Sequence, residues 1–212
     1  MKIKNKFSFL LLLLFAATLF AQCKKETFDD PDVPPIDELA FTDAEKAVIF
    51  NGAMDSIMRV MNYFIYEDSL ILRAQSIDVN LNDTTTLFFL IDRMKVTVLD
   101  EGGVGIAAPQ VGINRNIIWV QRHDKGTMYN RPWEVFLNPV ITKYSDTTEW
   151  RSDGCLSIPG IQQNSLRAIW VDVEYDLPDG THKAERITQK YTAHIFQHEI
   201  DHLNGIVFLD RI

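Results

Sequence analysis

Two hydrophobic periods succeed one another along this chain. Behind Thr42-Asp43-Ala44-Glu45, which fits a capping box, the apolar residues Val48, Ile49, Met54, Ile57, Met58 and Met61 recur at helical spacing. This predicts a helix over 43–63, with the methionines on its buried face. Leu87, Leu90, Ile91, Met94 and Val98 predict a second helix over 84–99, started by Asp83 as N-cap and weakened at its end by the β-branched Val96-Thr97-Val98. The period then shortens. N-I-I-W-V-Q (116–121), V-F-L-N-P-V-I-T (135–142) and R-A-I-W-V-D-V-E-Y-D (167–176) are β-branched, partly alternating runs bounded by turn residues, and predict strands. Helical spacing returns over 188–203 and is closed by Asn204-Gly205. Strands clustered between helices, without regular strand–helix alternation, predict an α+β fold.

The first 22 residues differ from the rest. Lys2, Lys4 and Lys6 precede an uncharged apolar run over 7–20, shorter than the roughly 20 residues a membrane-spanning helix needs. That is the pattern of an export signal over 1–22. Cys23 follows in L-F-A-Q-C and resembles the lipobox of bacterial lipoproteins, with Gln22 where glycine or alanine is preferred and Phe20 where leucine is. The resemblance implies acylation at Cys23, an exported, membrane-anchored lipoprotein of the cell envelope, and attachment through lipid alone. Residues 23–41 are acidic and proline-rich, as a disordered tether is. Residues 42–64 are read as an extra N-terminal helix ahead of a folded domain over 65–212. Apolar content of 46% and charged content of 24% are those of a globular protein, and the net charge of −8 argues against a nucleic-acid partner. With Cys23 acylated, Cys155 has no disulfide partner, because the chain has two cysteines.

The candidate chemistry lies in the last helix. Gln197-His198-Glu199-Ile200-Asp201-His202 contains H-E-x-x-H, which puts two imidazoles on one helical face within reach of one metal ion and a carboxylate close by as general base. His194 lies four residues earlier, but it and His202 are about 12 Å apart along the axis, too far to share an ion. A third ligand must come from elsewhere, and Cys155 would add negative charge while leaving a position open for water. The glycine-rich Gly102-Gly103-Val104-Gly105-Ile106-Ala107-Ala108-Pro109-Gln110 fails as a dinucleotide fingerprint, since Pro109 and Gly112 interrupt the place where the helix should begin. It suits the approach of a peptide-like substrate to exposed backbone, with the Gln110 amide free to donate.

G-V-G-I-A-A-P-Q (103–110), D-G-C-L-S (153–157) and Q-H-E-I-D-H-L-N-G (197–205), in this order, resemble the three motifs of peptide deformylases. The resemblance implies antiparallel or mixed sheets around a central C-terminal helix carrying the metal motif, and hydrolysis of the formyl group from formyl-methionyl peptides with release of formate. It implies one divalent metal held by Cys155, His198 and His202, with Fe(II) as the family's usual ion and Zn(II) as the alternative. Glu199 would be the base, the Gln110 side chain and Leu156 N–H an oxyanion hole, and Gly103, Val104, Gly105 and Gly154 the walls along an N-formylated peptide. The chain departs from the pattern at Asp153, where the family usually has glutamate, and in its export signal, which would direct it to released formylated peptides. An exported metallopeptidase, a thiol hydrolase using Cys155 and a non-catalytic binder of formylated peptides are the competing readings.

Overall fold

The computed structural model describes residues 39–212. The export signal over 1–22, Cys23 and the tether up to residue 38 lie outside the described residues. The predicted capping box is present: Thr42 Oγ1 accepts from Glu45 N–H at 3.2 Å, and the Glu45 carboxylate accepts from Thr42 N–H at 2.7 Å. The helix it starts, α1 (Asp43–Ile49), is far shorter than the predicted 43–63. A distant side chain accounts for the difference. The buried Arg93 guanidinium donates to the carbonyls of Val48, Ile49, Ser56 and Ile57, holding 50–57 as a loop around it. Met58 and Met61 are buried as expected, whereas Met54 and Ile57 are exposed. Arg115, also buried, ties the same segment down by donating to Leu39 O, Ala40 O and both Glu45 carboxylate oxygens.

A short helix that periodicity did not reveal, α2 (Tyr66–Arg73), follows. Leu72 is its one buried apolar side chain, too little pattern to be read from sequence. The long helix α3 (Thr84–Asp100) starts as predicted, with the Asp83 carboxylate accepting from Thr86 N–H. Its β-branched end is not a break. Thr97 Oγ1 donates to Arg93 O at 2.7 Å and accepts from Met58 N–H at 2.8 Å.

The strands are β1 (Gly105–Ala107), β2 (Ile117–Gln121), β3 (Trp133–Tyr144), β4 (Thr148–Cys155), β5 (Ile158–Ala168), β6 (Val171–Asp176) and β7 (His182–Ile187). Five form one antiparallel sheet in the order β1-β2-β3-β6-β7, and β4 pairs with β5 in a separate two-stranded ribbon. The predicted strand over 167–176 is thus two: the end of β5 and all of β6. They are divided at Ile169-Trp170, whose N–H groups turn to Ser145 Oγ. The polar β4 and β7 escaped the periodicity reading because each exposes much of its length.

Helix α4 (Lys190–Leu203) packs across β1, β2 and β3, with Gln189 Oε1 capping its start by accepting from Thr192 N–H. Phe196 and Ile200 join Phe136, Val173 and Ile187 in one core cluster, while α3 and the β1–β2 region build another. Gly205 ends α4 at a positive φ of 70°, against Arg73 of α2, where a Cβ would strike the Arg73 carbonyl. From Thr192 to Leu203 every residue of α4 is buried, so its polar motif lies inside the protein. No helix among the described residues is long and apolar enough to cross a membrane. The architecture is the α+β arrangement predicted, with antiparallel sheets and a central C-terminal helix.

Candidate functional site

Helical spacing on α4 brings the His198 and His202 rings to 5.0 Å between centroids. The β4 strand ends opposite them at Cys155, whose Sγ lies 3.2 Å from His202 Nε2. One donor atom from each of Cys155, His198 and His202 falls within 4.8 Å of the others. Metal–nitrogen bonds of about 2.0 Å and a metal–sulfur bond of about 2.3 Å in a tetrahedral set separate donors by about 3.3–3.5 Å, so one soft and two imidazole donors fit a divalent ion here. Burial, reinforced by the positive charge of His198 and Arg167, holds the His202 imidazole well below its usual range and therefore neutral, as a ligand must be. Burial also opposes charge on His198, but Asp153, Cys155 and Glu199 overcome it and favour a proton there. A bound cation would take the place of that proton.

Asp153 on β4 sets the far side of His198. Its Oδ1 is 2.8 Å from His198 Nδ1, so the Nε2 side of the ring is the one left for an ion. Burial raises the Asp153 carboxyl, yet His194 and His198 outweigh it and hold it well below the usual carboxylate range. Ser165, Arg167 and His194 complete its surroundings. Sequence reasoning excluded His194 from sharing an ion with His202, gave it no role, and did not find Ser165 or Arg167. The i, i+4 spacing of His194 and His198 was the one available signal.

Glu199 is buried, and its Oε2 has no partner among the described residues. Gly105 makes room for it: a Cβ there would collide with the Glu199 carboxylate and the Ile195 side chain. Burial, with Asp153 adding to it, pushes Glu199 up to about 7, against the opposing charges of His198 and Arg167. A carboxyl raised in the folded state costs nothing while it is neutral in both states. Its penalty grows from pH 4.5, where the unfolded group ionises, to about 7, where the folded one does. In the metal-free protein Glu199→Gln is therefore expected to leave stability unchanged near pH 4 and to raise it by about 3 kcal/mol above pH 7.5. Urea unfolding at the two pH values checks this.

Gln110 sits in a 3-10 turn, Ala108–Val111, packed behind β1. Ala107 N–H donates to its Oε1 at 2.9 Å, which turns Nε2 toward Cys155 Sγ at 3.4 Å and Ser157 Oγ at 3.5 Å. Met61 N–H donates to the Gln110 carbonyl at 2.8 Å and fixes the turn from the other side. Leu156 follows Cys155 in the turn between β4 and β5, its side chain near Gly103. A cavity of about 370 Å³ is lined by Gly103, Val104, Gly105, Gln110, Gly154 and Cys155, and by Glu199 and His198 across it. At Gly154 a Cβ would meet nothing closer than 3.8 Å, so the protein's own packing does not demand glycine there. All the predicted site residues within the described range, His202 included, come together around or against this cavity, and Cys23 lies outside that range.

Comparison with known proteins gives the same picture from outside. The family profile described as polypeptide deformylase matches residues 60–212. The chain is 40% identical over 126 residues to the peptide deformylase of Desulforudis audaxviator, covering 57% of this chain and 77% of that one. It is 36% identical over 166 residues to the peptide deformylase of Chloroflexus aurantiacus, covering 74% of this chain and 88% of that one. Among solved structures, a Met-Ala-Ser-bound class I type b peptide deformylase from Acinetobacter baumannii superposes with a TM-score of 0.65 at 35% identity, over 74% of this chain and 98% of the other.

Proposed function

Because the chain belongs to the polypeptide deformylase family, we propose that the cavity beside α4 is where it hydrolyses the N-formyl group of formyl-methionyl peptides, with Cys155, His198 and His202 holding one divalent ion. The protein is a metal-dependent amidohydrolase. The observation that carries the reading is the convergence of three ligand atoms within 4.8 Å beside a buried, unpartnered Glu199 oxygen. When bound, the ion supplies positive charge that acidifies water and polarises the formyl oxygen. Glu199 Oε2 accepts the proton of the attacking water and returns it to the leaving amine. Gln110 Nε2 and the Leu156 N–H meet the negative oxygen that develops on the formyl carbon, and the Gly103-Val104-Gly105 and Gly154 backbones flank the peptide. Iron(II) is the ion of choice by resemblance to the family, with zinc(II) the alternative; both suit one thiolate and two imidazoles.

Incubation with formyl-Met-Ala-Ser is expected to release formate and leave Met-Ala-Ser intact. Cleavage of an internal peptide bond without formate would identify a metallopeptidase instead. The 3.2 Å approach of Cys155 to His202 also has the form of a thiol–imidazole pair, but the convergence of His198 on the same two donor atoms favours the ligand role.

The basic start, the apolar run over 7–20 and Cys23 support export as a lipoprotein. Released N-formylated peptides, rather than chains on the ribosome, are then the substrates. Cys23→Ala is expected to move the protein from the membrane fraction to the soluble fraction, which immunoblotting of fractionated cells would record. An unchanged membrane fraction would contradict lipid anchoring at this residue.

A further inference from the structure

One carboxylate spans two turns of the metal helix. Asp153 Oδ1 lies 2.8 Å from His198 Nδ1, and Asp153 Oδ2 lies 3.2 Å from His194 Nε2. The same Oδ2 accepts from Ser165 Oγ at 2.7 Å and from Arg167 Nη2 at 3.2 Å. All five side chains are buried. Oδ2 is thus gathered by three groups on β5 and α4, which leaves Oδ1 facing His198 alone.

His198 Nδ1 lies 2.8 Å from Asp153 Oδ1 without an aligned hydrogen bond, and that contact leaves the Nε2 side of the ring for an ion. His194 Nε2 lies 3.2 Å from the same carboxylate, and its Nδ1 has no partner among the described residues. Arg167 also bonds Asp201, which Arg211 bonds in turn, so two guanidiniums already offset two carboxylates. His194 adds a donor to this set, at the cost of a buried unpaired nitrogen that an apolar residue would avoid.

Size ties the two residues together. Asp153 stands where the family pattern has glutamate. One more methylene, about 1.5 Å of reach, would drive the carboxylate into rings already 2.8 and 3.2 Å away. The short acid and the imidazole at position 194 fit one another.

We propose that His194 is a positioning residue of the metal centre: with Ser165 and Arg167 it pins Asp153 so that Oδ1 orients His198, and the Asp153–His194 pair replaces a longer carboxylate as one unit. The proposal rests on the reading of Cys155, His198 and His202 as metal ligands.

The test measures zinc affinity of the full-length protein by competition with a chromophoric chelator, and the visible spectrum of the cobalt(II) form, for wild type, His194→Leu and His194→Gln. Leucine removes the donor at similar volume, whereas glutamine keeps one. His194→Leu is expected to bind zinc about 10–100-fold more weakly and to shift the cobalt spectrum, with His194→Gln within about threefold of wild type. Equal affinity and spectra in wild type and His194→Leu would overturn the proposal. If His194→Leu does not fold, Asp153→Glu is compared with Asp153→Glu/His194→Ala. Recovery of affinity in the double variant supports the paired role, and a loss equal to the product of the single effects contradicts it. A wild-type protein that binds no zinc or cobalt would instead refute the metal centre itself.

Discussion

Glu199→Ala is expected to lower kcat/KM for a formylated peptide by about 10²–10⁴-fold while the protein keeps its full metal content. The two halves of that result come from different atoms. Metal retention follows because the proposed ligand set, Cys155, His198 and His202, does not include Glu199. Loss of turnover follows because Glu199 Oε2 is an unpartnered carboxylate oxygen at the cavity, and no other carboxylate lining it stands free to replace it as a base. Asp153, the other carboxylate lining the cavity, is already committed to His194, His198, Ser165 and Arg167. Gly105 leaves open the space that Glu199 fills, so alanine at 199 removes the base without forcing the backbone to move. Formate release and metal analysis on the same preparation check both halves. Turnover near that of wild type would show that proton transfer does not run through Glu199.

Cys155→Ala is expected to act on the metal first and on activity through it. As a ligand, a Cys155 thiolate would supply the negative charge that two neutral imidazoles lack, and would tie the proposed ion to β4 while the histidines tie it to α4. Loss of an outer partner of a metal ligand costs about 10–100-fold in affinity, so loss of a ligand is expected to cost more than about 100-fold. A chelator competition gives the affinity, and formate release should fall in parallel. The wild type is expected to lose activity to a chelator and recover it with added metal. A thiol nucleophile at Cys155 would survive chelation, and that outcome would move the chemistry from the ion to the sulfur.

The features legible in the sequence were those set by local spacing. The H-E-x-x-H helix, its Asn204-Gly205 end, the Asp83 cap and the core face of α3 all follow from short-range periodicity and capping chemistry. The three site motifs were legible because each is a contiguous string. What escaped depends on contacts between distant segments. The helix predicted over 43–63 ends at Ile49 because Arg93, some 40 residues on, takes up the last helical carbonyls, Val48 and Ile49, together with those of Ser56 and Ile57 in the loop that follows. The β4–β5 ribbon and β7 carry polar faces whose alternation is weak, and they become strands by pairing with neighbours. Asp153 could be recognised as a departure from the family pattern, but its bridging of two histidines appears only when β4, β5 and α4 meet. Helix geometry separates His194 from His202 by about two turns, and the same geometry puts His194 in reach of the carboxylate behind His198.

The central claim is that one ion held by Cys155, His198 and His202 serves hydrolysis of N-formyl peptides. Stoichiometric titration of iron(II) or zinc(II) into metal-free protein under anaerobic conditions, with formate release from formyl-Met-Ala-Ser followed at each step, tests it most directly. Activity should rise linearly and saturate at one equivalent per chain. Formate release that is full before metal is added, or absent after one equivalent of either ion is bound, would contradict it.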